Sequence, residues 1–231
     1  MLLVIWLLAI LSLMLGGLVG AVRQEARLGQ WQREHTRAIW AAQAGLALAI
    51  QGLRDPRQER RWVADGRAQV SRFDEATLQT RVRSERGKLD LNVATEADLM
   101  RLAAGLGAAP VQARQLSMAM SAHRLQDSSP LRVIEEILPW PGMTPELYER
   151  LAPELTLWSG LSRPEPAFAS AAMRQALGLA YADAVGSDPG PILTIHSVAV
   201  RPNGFSVTIY STVLLSSEQS LRPFRVLRYS E

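Results

Sequence analysis

The 231-residue sequence contains no cysteine, and Lys88 is its single lysine. The first absence excludes disulfide scaffolds, thiolate zinc sites and cysteine nucleophiles, and leaves the redox compartment open. The second makes the net charge of +3 an arginine charge, too small to act through its sum, so its distribution matters more. Histidine is scarce as well. His35, His123 and His196 fall in separate segments, without metal-ligand spacing to one another or to an acid. No phosphate-binding loop and no G-x-S-x-G turn occurs. Glu135 and Glu136 are neighbours on a helical stretch, so they point to different faces and form no matched acid–base pair. The chain reads as a non-enzyme.

Acids are absent before Glu25, and no charge of either sign occurs from Met1 to Val22. At ~1.5 Å per residue that segment makes roughly 33 Å of helix, enough to cross the hydrocarbon core of a bilayer. Residues 1–22 are therefore expected to be a transmembrane anchor. A cleaved secretory signal is the rival, since Val19, Gly20 and Ala21 are suitably small. The apolar stretch is long for that role, however, and no basic segment precedes it. Arg23, Arg27, Arg33 and Arg37 follow the span, and the positive-inside rule read literally would place the bulk of the chain in the cytoplasm. A short basic leader ahead of Met1 would remove that conflict.

No proline interrupts the chain until Pro56. Leu28, Trp31, His35, Ile39, Ala42, Leu46, Ala49 and Leu53 recur in steps of three and four, which predicts one stripe on a helix continuing to about residue 55. Its alanine-rich end, AIWAAQAGLALAI, suits close packing against a sheet or another helix.

Beyond this helix the pattern changes twice. Residues 69–73, 78–83 and 88–92 alternate apolar and polar side chains, with a turn at Glu85-Arg86-Gly87, and predict antiparallel strands. The centre is punctuated as four short helices. Thr95 caps the first, which Gly105-Leu106-Gly107 closes, and Pro110 opens the second. Ser129-Pro130 opens a third that ends at Pro139. Thr144-Pro145 opens a fourth that ends before Pro153. Strand patterns then return at 192–201 and 205–215 around Pro202-Asn203-Gly204, a hairpin signal, with a last strand at 224–229. The strands on either side of the helical insert are expected to share one sheet packed on the long helix.

This order resembles the general secretion pathway protein K family, the minor pseudopilins of type II secretion systems, over essentially the whole chain. The resemblance rests on MLLVIWLLAILSLML, AAQAGLALAI, GKLDLNVATEADLMRL, EEILPWPGMTPELYERLAPELTLWSG, and the closing hairpin with PFRVLRY. It implies an α+β fold with a pilin-like long N-terminal helix on an antiparallel sheet, interrupted by a helical module. The divisions are an anchor over 1–22, the rest of the helix over 23–55, a sheet domain over 56–92 and 165–231, and the insert over 93–164. The resemblance also implies a single-pass bacterial inner-membrane protein with its globular part in the periplasm. Its partners would be the I-type and J-type minor pseudopilins at a pseudopilus tip, membrane lipid, and the secretin or exported cargo. The basic leader usual in the family is not present ahead of Met1, and the chain is short for the family.

Ordinary pilins carry a glutamate near the start of the helix, which must find a partner in hydrocarbon. Here the corresponding residues, Leu2, Leu3, Val4, Ile5 and Trp6, are apolar. Such a subunit needs no neighbour ahead of it, which fits the first position in an assembly. Those five residues, with Leu28, Trp31, Ile39, Leu46 and Leu53 on the stripe, are the expected membrane and subunit contacts.

No cofactor is expected. Relatives can bind calcium in the pilin-like domain, and Asp183 and Asp188 are the candidates for such a loop site, against the reading of a solvated turn. The alternative function is a signal-anchored periplasmic protein that binds DNA or another ligand through the insert, since Gly105–Pro110 and Pro141–Met143 look like helix-hairpin-helix turns. Electrostatics oppose DNA. Residues 54–88 carry ten basic and six acidic side chains, but residues 89–155, which contain both turns, carry nine acids against five arginines.

Overall fold

The computed structural model describes residues 2–57, 60–126, 129–216 and 223–231, and within the first helix the side chains of residues 4–6 and from 24 onward. Helix α1 (Leu2–Leu53) runs unbroken for 52 residues and ends just before Asp55-Pro56, as expected. It is followed by β1 (Asp65–Phe73), β2 (Ala76–Ser84), a short β3 (Leu89–Asp90), α2 (Glu96–Gly105), α3 (Pro110–Gln126) and α4 (Pro145–Leu151). Then come β4 (Leu155–Thr156), α5 (Ala171–Leu177), β5 (Ile192–Val200), β6 (Ser206–Leu215) and β7 (Phe224–Ser230).

Five strands form one antiparallel sheet in the order β1-β2-β5-β6-β7. Its inner face carries Leu78, Val82, Leu193, Ile195, Ala199, Ile209 and Val213, all buried. They pack on α1 in two groups, one around Ala38, Ala41 and Ala42 and one around Ala49, Ile50 and Leu53. Gly45 lies between the groups, above Thr80 and Ser197. From Ala38 to Ala49 the contact face is thus made of alanine and glycine, which lets helix and sheet approach closely, and Ile50 and Leu53 close it at the lower end. This differs in part from the expected stripe. Ala42, Ala49 and Leu53 are buried, but Leu28 and Trp31 remain 57% and 54% exposed. Trp31 stacks on His35 at 4.9 Å, and both meet Phe205 edge-on.

The helical module is an excursion between two strands that are neighbours in the sheet, since β2 pairs with β5 from Thr77↔Val200 to Ser84↔Leu193. It has its own core, in which Leu91, Leu99, Leu102, Leu116, Ile137, Leu147, Leu151, Leu155 and Met173 are packed together. Three local expectations need correction. Residues 88–92 do not add an antiparallel strand; Leu89–Asp90 pairs in parallel with Leu155–Thr156. The reason is a 3-10 turn at Glu85–Gly87, started by the Ser84 hydroxyl accepting from the Arg86 amide, which carries the chain off the sheet. The third helix shrinks to a 3-10 turn, Ile134–Ile137. The Glu136 carboxylate takes the amides of Arg132 and Val133, which holds the chain extended up to Val133 and leaves only one short turn before Pro139. A helix not anticipated, α5, lies at 171–177. Ser170 caps it, and Gly178 at φ 63° closes it in the left-handed region.

Candidate functional site

The first candidate surface is α1. Val4, Ile5 and Trp6 are exposed at 58%, 62% and 66%. Leu2 and Leu3 belong to the helix, but their side chains, and those of residues 7–23, lie outside the described residues. Most side chains of the expected anchor over 1–22 therefore lie outside them too. Among the described residues no helix is long and apolar enough to cross a membrane. Ile39 and Leu46 are half-buried at the margins of the two helix–sheet groups, and Leu53 is buried within the lower one. One residue escaped the sequence reading. Trp40 is 64% exposed. Its only sequence signal was a lone large aromatic within an alanine-rich run.

Both ends of the sheet hold α1 through arginine. Arg201, with its side chain 4% exposed, donates from Nε to Glu34 on α1 at 3.2 Å. Its Nη1 and Nη2 donate to Asp74 and Glu75 in the β1–β2 turn at 3.3 and 3.2 Å. Three carboxylates thus compensate a guanidinium that would otherwise be costly to bury. Asn203 in the β5–β6 turn adds a bond to Glu34 at 3.1 Å. At the other end Arg54 donates to the carbonyls of Ser216 and Pro223 at 2.5 and 2.6 Å.

The second candidate surface is a cleft of about 840 Å³ between the outer face of the sheet and the helical module. Strand register sets its floor. One row runs Arg83, Thr194, Thr212 and Arg228, and the next runs Ala68, Arg81, His196, Tyr210 and Ser230. The module contributes Ile134, Pro153, Leu155 and Trp158 among others. Ion pairs join the layers. Arg83 binds Glu154 in a two-pronged contact at 3.1 to 3.3 Å, and Arg228 binds Glu135. Tyr148 joins the latter pair, and burial, reinforced by the Glu135 charge, raises its phenol above the ordinary value. At the inner wall, Glu85 accepts from both Lys88 Nζ and Thr194 Oγ1 at 2.6 Å. The other carboxylate oxygen of Glu85, Oε2, is buried and has no hydrogen-bond partner among the described residues.

His196 stacks on Tyr210 with ring centroids 4.4 Å apart. Burial first, and the Arg81 charge second, hold its imidazole below the ordinary value of 6.5. The unfolded chain then takes up this proton before the folded one does. Stability should fall as pH drops from about 7 through the lowered folded value, and level off below it. His196→Phe keeps the ring and loses the proton. Thermal unfolding between pH 7.5 and 5.5 should show a smaller drop for this variant than for the unaltered protein.

The two turns that resemble DNA-binding hairpins use their amides internally. After α2, the N–H groups of Leu106, Gly107 and Ala108 donate to carbonyls of Leu102, Ala104 and Ala103 at 2.9 to 3.0 Å, and Gly107 takes φ 89°. The Met143 amide likewise donates to Trp140. A phosphate would have to compete with these bonds. Asp183 and Asp188 accept from the amides of Val185 and Gly190 two residues on, and Asp188 also faces Arg86 at 3.4 Å. Among the described residues no three histidine, aspartate or glutamate side chains are placed so that they could hold one metal ion.

Comparison of the sequence with protein-family models and with curated proteins finds no match. Among solved structures, the chain is similar to GspK in the GspK-GspI-GspJ complex from the type 2 secretion system of enterotoxigenic Escherichia coli. The two are 16% identical, with a TM-score of 0.60 over 87% of this chain and 98% of that one. At that identity the likeness is one of fold. Coverage this broad takes in both the sheet and the inserted module.

Proposed function

We propose that the chain is a minor pseudopilin of a type II protein secretion system, of the general secretion pathway protein K kind, and that it works by contact rather than by catalysis or cofactor chemistry. One observation carries the reading. A long helix lies on an antiparallel sheet that a helical module interrupts between two neighbouring strands, and the GspK fold follows the same plan. In this reading the apolar segment 1–22 holds the subunit in the bacterial inner membrane as a single span, with the sheet and module in the periplasm. The I-type and J-type minor pseudopilins are its partners, a role supported by the company GspK keeps in its complex. The subunit stands first in the pseudopilus, and its module faces the secretin or the exported cargo.

Affinity purification of the full-length protein from detergent-solubilised native membranes tests the reading. Two other small pilin-like proteins should come with it in near-equal amounts. Nucleic acid in their place, or a protein released without membrane extraction, would defeat the proposal. The tip position has its own test. Ile5→Glu adds a carboxylate to a neighbourhood that offers it no partner. Recovery of the partners should fall severalfold with Ile5→Glu and stay unchanged with Ile5→Ala. Equal behaviour of the two would sink the tip position while leaving the family reading intact.

A further inference from the structure

We infer that the helical module is a hinged flap, held shut against the outer face of the sheet by ion pairs and poised to swing open at its two connections. The inference stands on how the module is packed and not on the assembly role proposed above.

The module and the sheet do not share a hydrophobic core. No residue of the five-stranded sheet belongs to the module's apolar cluster, and no residue of the module belongs to the two clusters under α1. Between the layers about 840 Å³ stays open. Arginines at the two sides of this space make the contacts across it. One outward row of the sheet runs Arg83, Thr194, Thr212 and Arg228. Arg83 on β2 donates to the Pro153 carbonyl at 3.4 Å and to Glu154 at 3.1 Å, and Arg228 on β7 donates to Glu135. An interface held by charge and not by apolar burial leaves two units free to move relative to one another. Both pairs are also open enough to water for salt to screen them.

The two connections lie together and define one hinge line. The chain leaves the sheet through Glu85–Gly87 and returns from α5 to β5 through residues 178–191. The Ser84 hydroxyl donates to the Pro189 carbonyl at 2.6 Å, and Arg86 donates to the Asp188 carbonyl at 3.1 Å. Gly186 in the return segment has φ 80° and no atom within 4 Å of a built Cβ, so the backbone there can turn without a clash. The shut position also carries a cost. Glu85 binds Lys88 and Thr194 through Oε1, while its buried Oε2 has no donor among the described residues. Opening admits water to that oxygen and offsets part of what the ion pairs hold.

The chain carries its own probe. Lys88 is the single lysine, and its side chain is 9% exposed in the shut position, so its amine reports opening. Full-length protein in detergent is acetylated with an amine-reactive ester, and the rate at Lys88 is followed by mass spectrometry. That rate should be slow at about 50 mM salt and rise about fivefold at about 1 M, where screening is nearly complete. Arg83→Glu and Glu154→Arg should each raise it about tenfold or more at low salt, since each sets like charges face to face. The double variant restores the pair in reverse and should return the rate to within about twofold of the unaltered protein. Arg67→Ala, which breaks the exposed pair with Asp65 on β1, should change nothing. Amides of α1 between 38 and 53 should keep their protection from deuterium exchange throughout, because opening leaves the helix on the sheet. A Lys88 rate indifferent to salt and to Arg83→Glu, a double variant as fast as the single ones, or acceleration accompanied by loss of protection along α1 overturns the inference.

Discussion

Ser197→Ala is expected to stabilise the protein, Gly45→Ala to destabilise it, and the double variant to be more stable than the two effects added together. The reasoning begins with the approach of α1 to the sheet. A Cβ built on Gly45 comes within 2.2 Å of the Ser197 hydroxyl and 2.9 Å of the Thr80 hydroxyl. Both hydroxyls are buried, and neither has a hydrogen-bond partner among the described residues. They are therefore a cost in the folded state. Replacing Ser197 by alanine removes one orphaned group, worth about 1 kcal/mol or more. Gly45→Ala gains about 1 kcal/mol of helix propensity and loses more by overpacking, which costs roughly 1–3 kcal/mol. The Ser197 Oγ is the nearer obstacle, so its removal relieves most of the clash. The remaining contact, Ser197 Cβ at 3.3 Å, can give by a few tenths of an ångström. Gly45→Val has no such remedy, since its branches reach past Cβ into Thr80, and should cost upward of about 3 kcal/mol in either background. Chemical denaturation of the four proteins would decide the matter. Simple additivity of Gly45→Ala and Ser197→Ala would show that the helix does not sit on these two strands as described.

Why this contact could not be read from the chain, although the helix could, follows from what each depends on. The extent of α1 rests on local chemistry: no proline until Pro56, and a continuous supply of helix formers. The β5–β6 hairpin is equally local, because Pro202-Asn203-Gly204 between two β-branched runs leaves few other conformations. The helical face turned to the sheet is a tertiary choice. Periodicity drew one stripe from Leu28 to Leu53 and marked the alanine-rich end as suited to a sheet. The sheet takes Ala42, Ala49 and Leu53 from that stripe, leaves Leu28 and Trp31 exposed, and adds Ala38, Ala41 and Gly45 from beside it. The pairing of Leu89–Asp90 with Leu155–Thr156 joins residues 66 apart in sequence, and a two-residue strand has no alternation to announce it. Ser170 and Gly178 framed α5 in plain view, but seven residues carry too little periodicity to separate a helix from a loop. The cleft was hidden for a related reason. Arg81, His196 and Tyr210 lie on three strands, and only the register of the sheet brings them into one row.

The largest single loss of stability is expected at Gly87, where the chain leaves the sheet for the module. A Cβ there would lie 2.1 Å from the Phe168 carbonyl oxygen, 2.4 Å from its carbon and 2.9 Å from the Ala169 amide. All three are backbone atoms, so no side chain can turn aside. Close packing at this point joins the two connections of the module. The Glu165 amide donates to the Arg86 carbonyl at 2.8 Å, and the Arg86 guanidinium reaches Glu165 at 3.0 Å and Asp188 at 3.4 Å. Gly87→Ala must push the connections apart, strain those contacts and disturb Lys88 and Glu85 alongside. The cost should exceed about 3 kcal/mol, in the upper part of the range for single substitutions. Gly160→Ala is the proper comparison. Gly160 has φ 66° and no atom within 4 Å of a built Cβ, so alanine there meets only the left-handed backbone penalty of about 1–2 kcal/mol. Limited proteolysis separates the two effects further. Gly87→Ala should expose the segment between β4 and α5 to cleavage while α1 and the sheet remain protected, because the helix–sheet clusters share no residue with the module's core. If the whole chain instead unfolds in one step at the lower temperature, the module and the pilin-like sheet form a single cooperative unit, and the junction at Gly87 is what couples them.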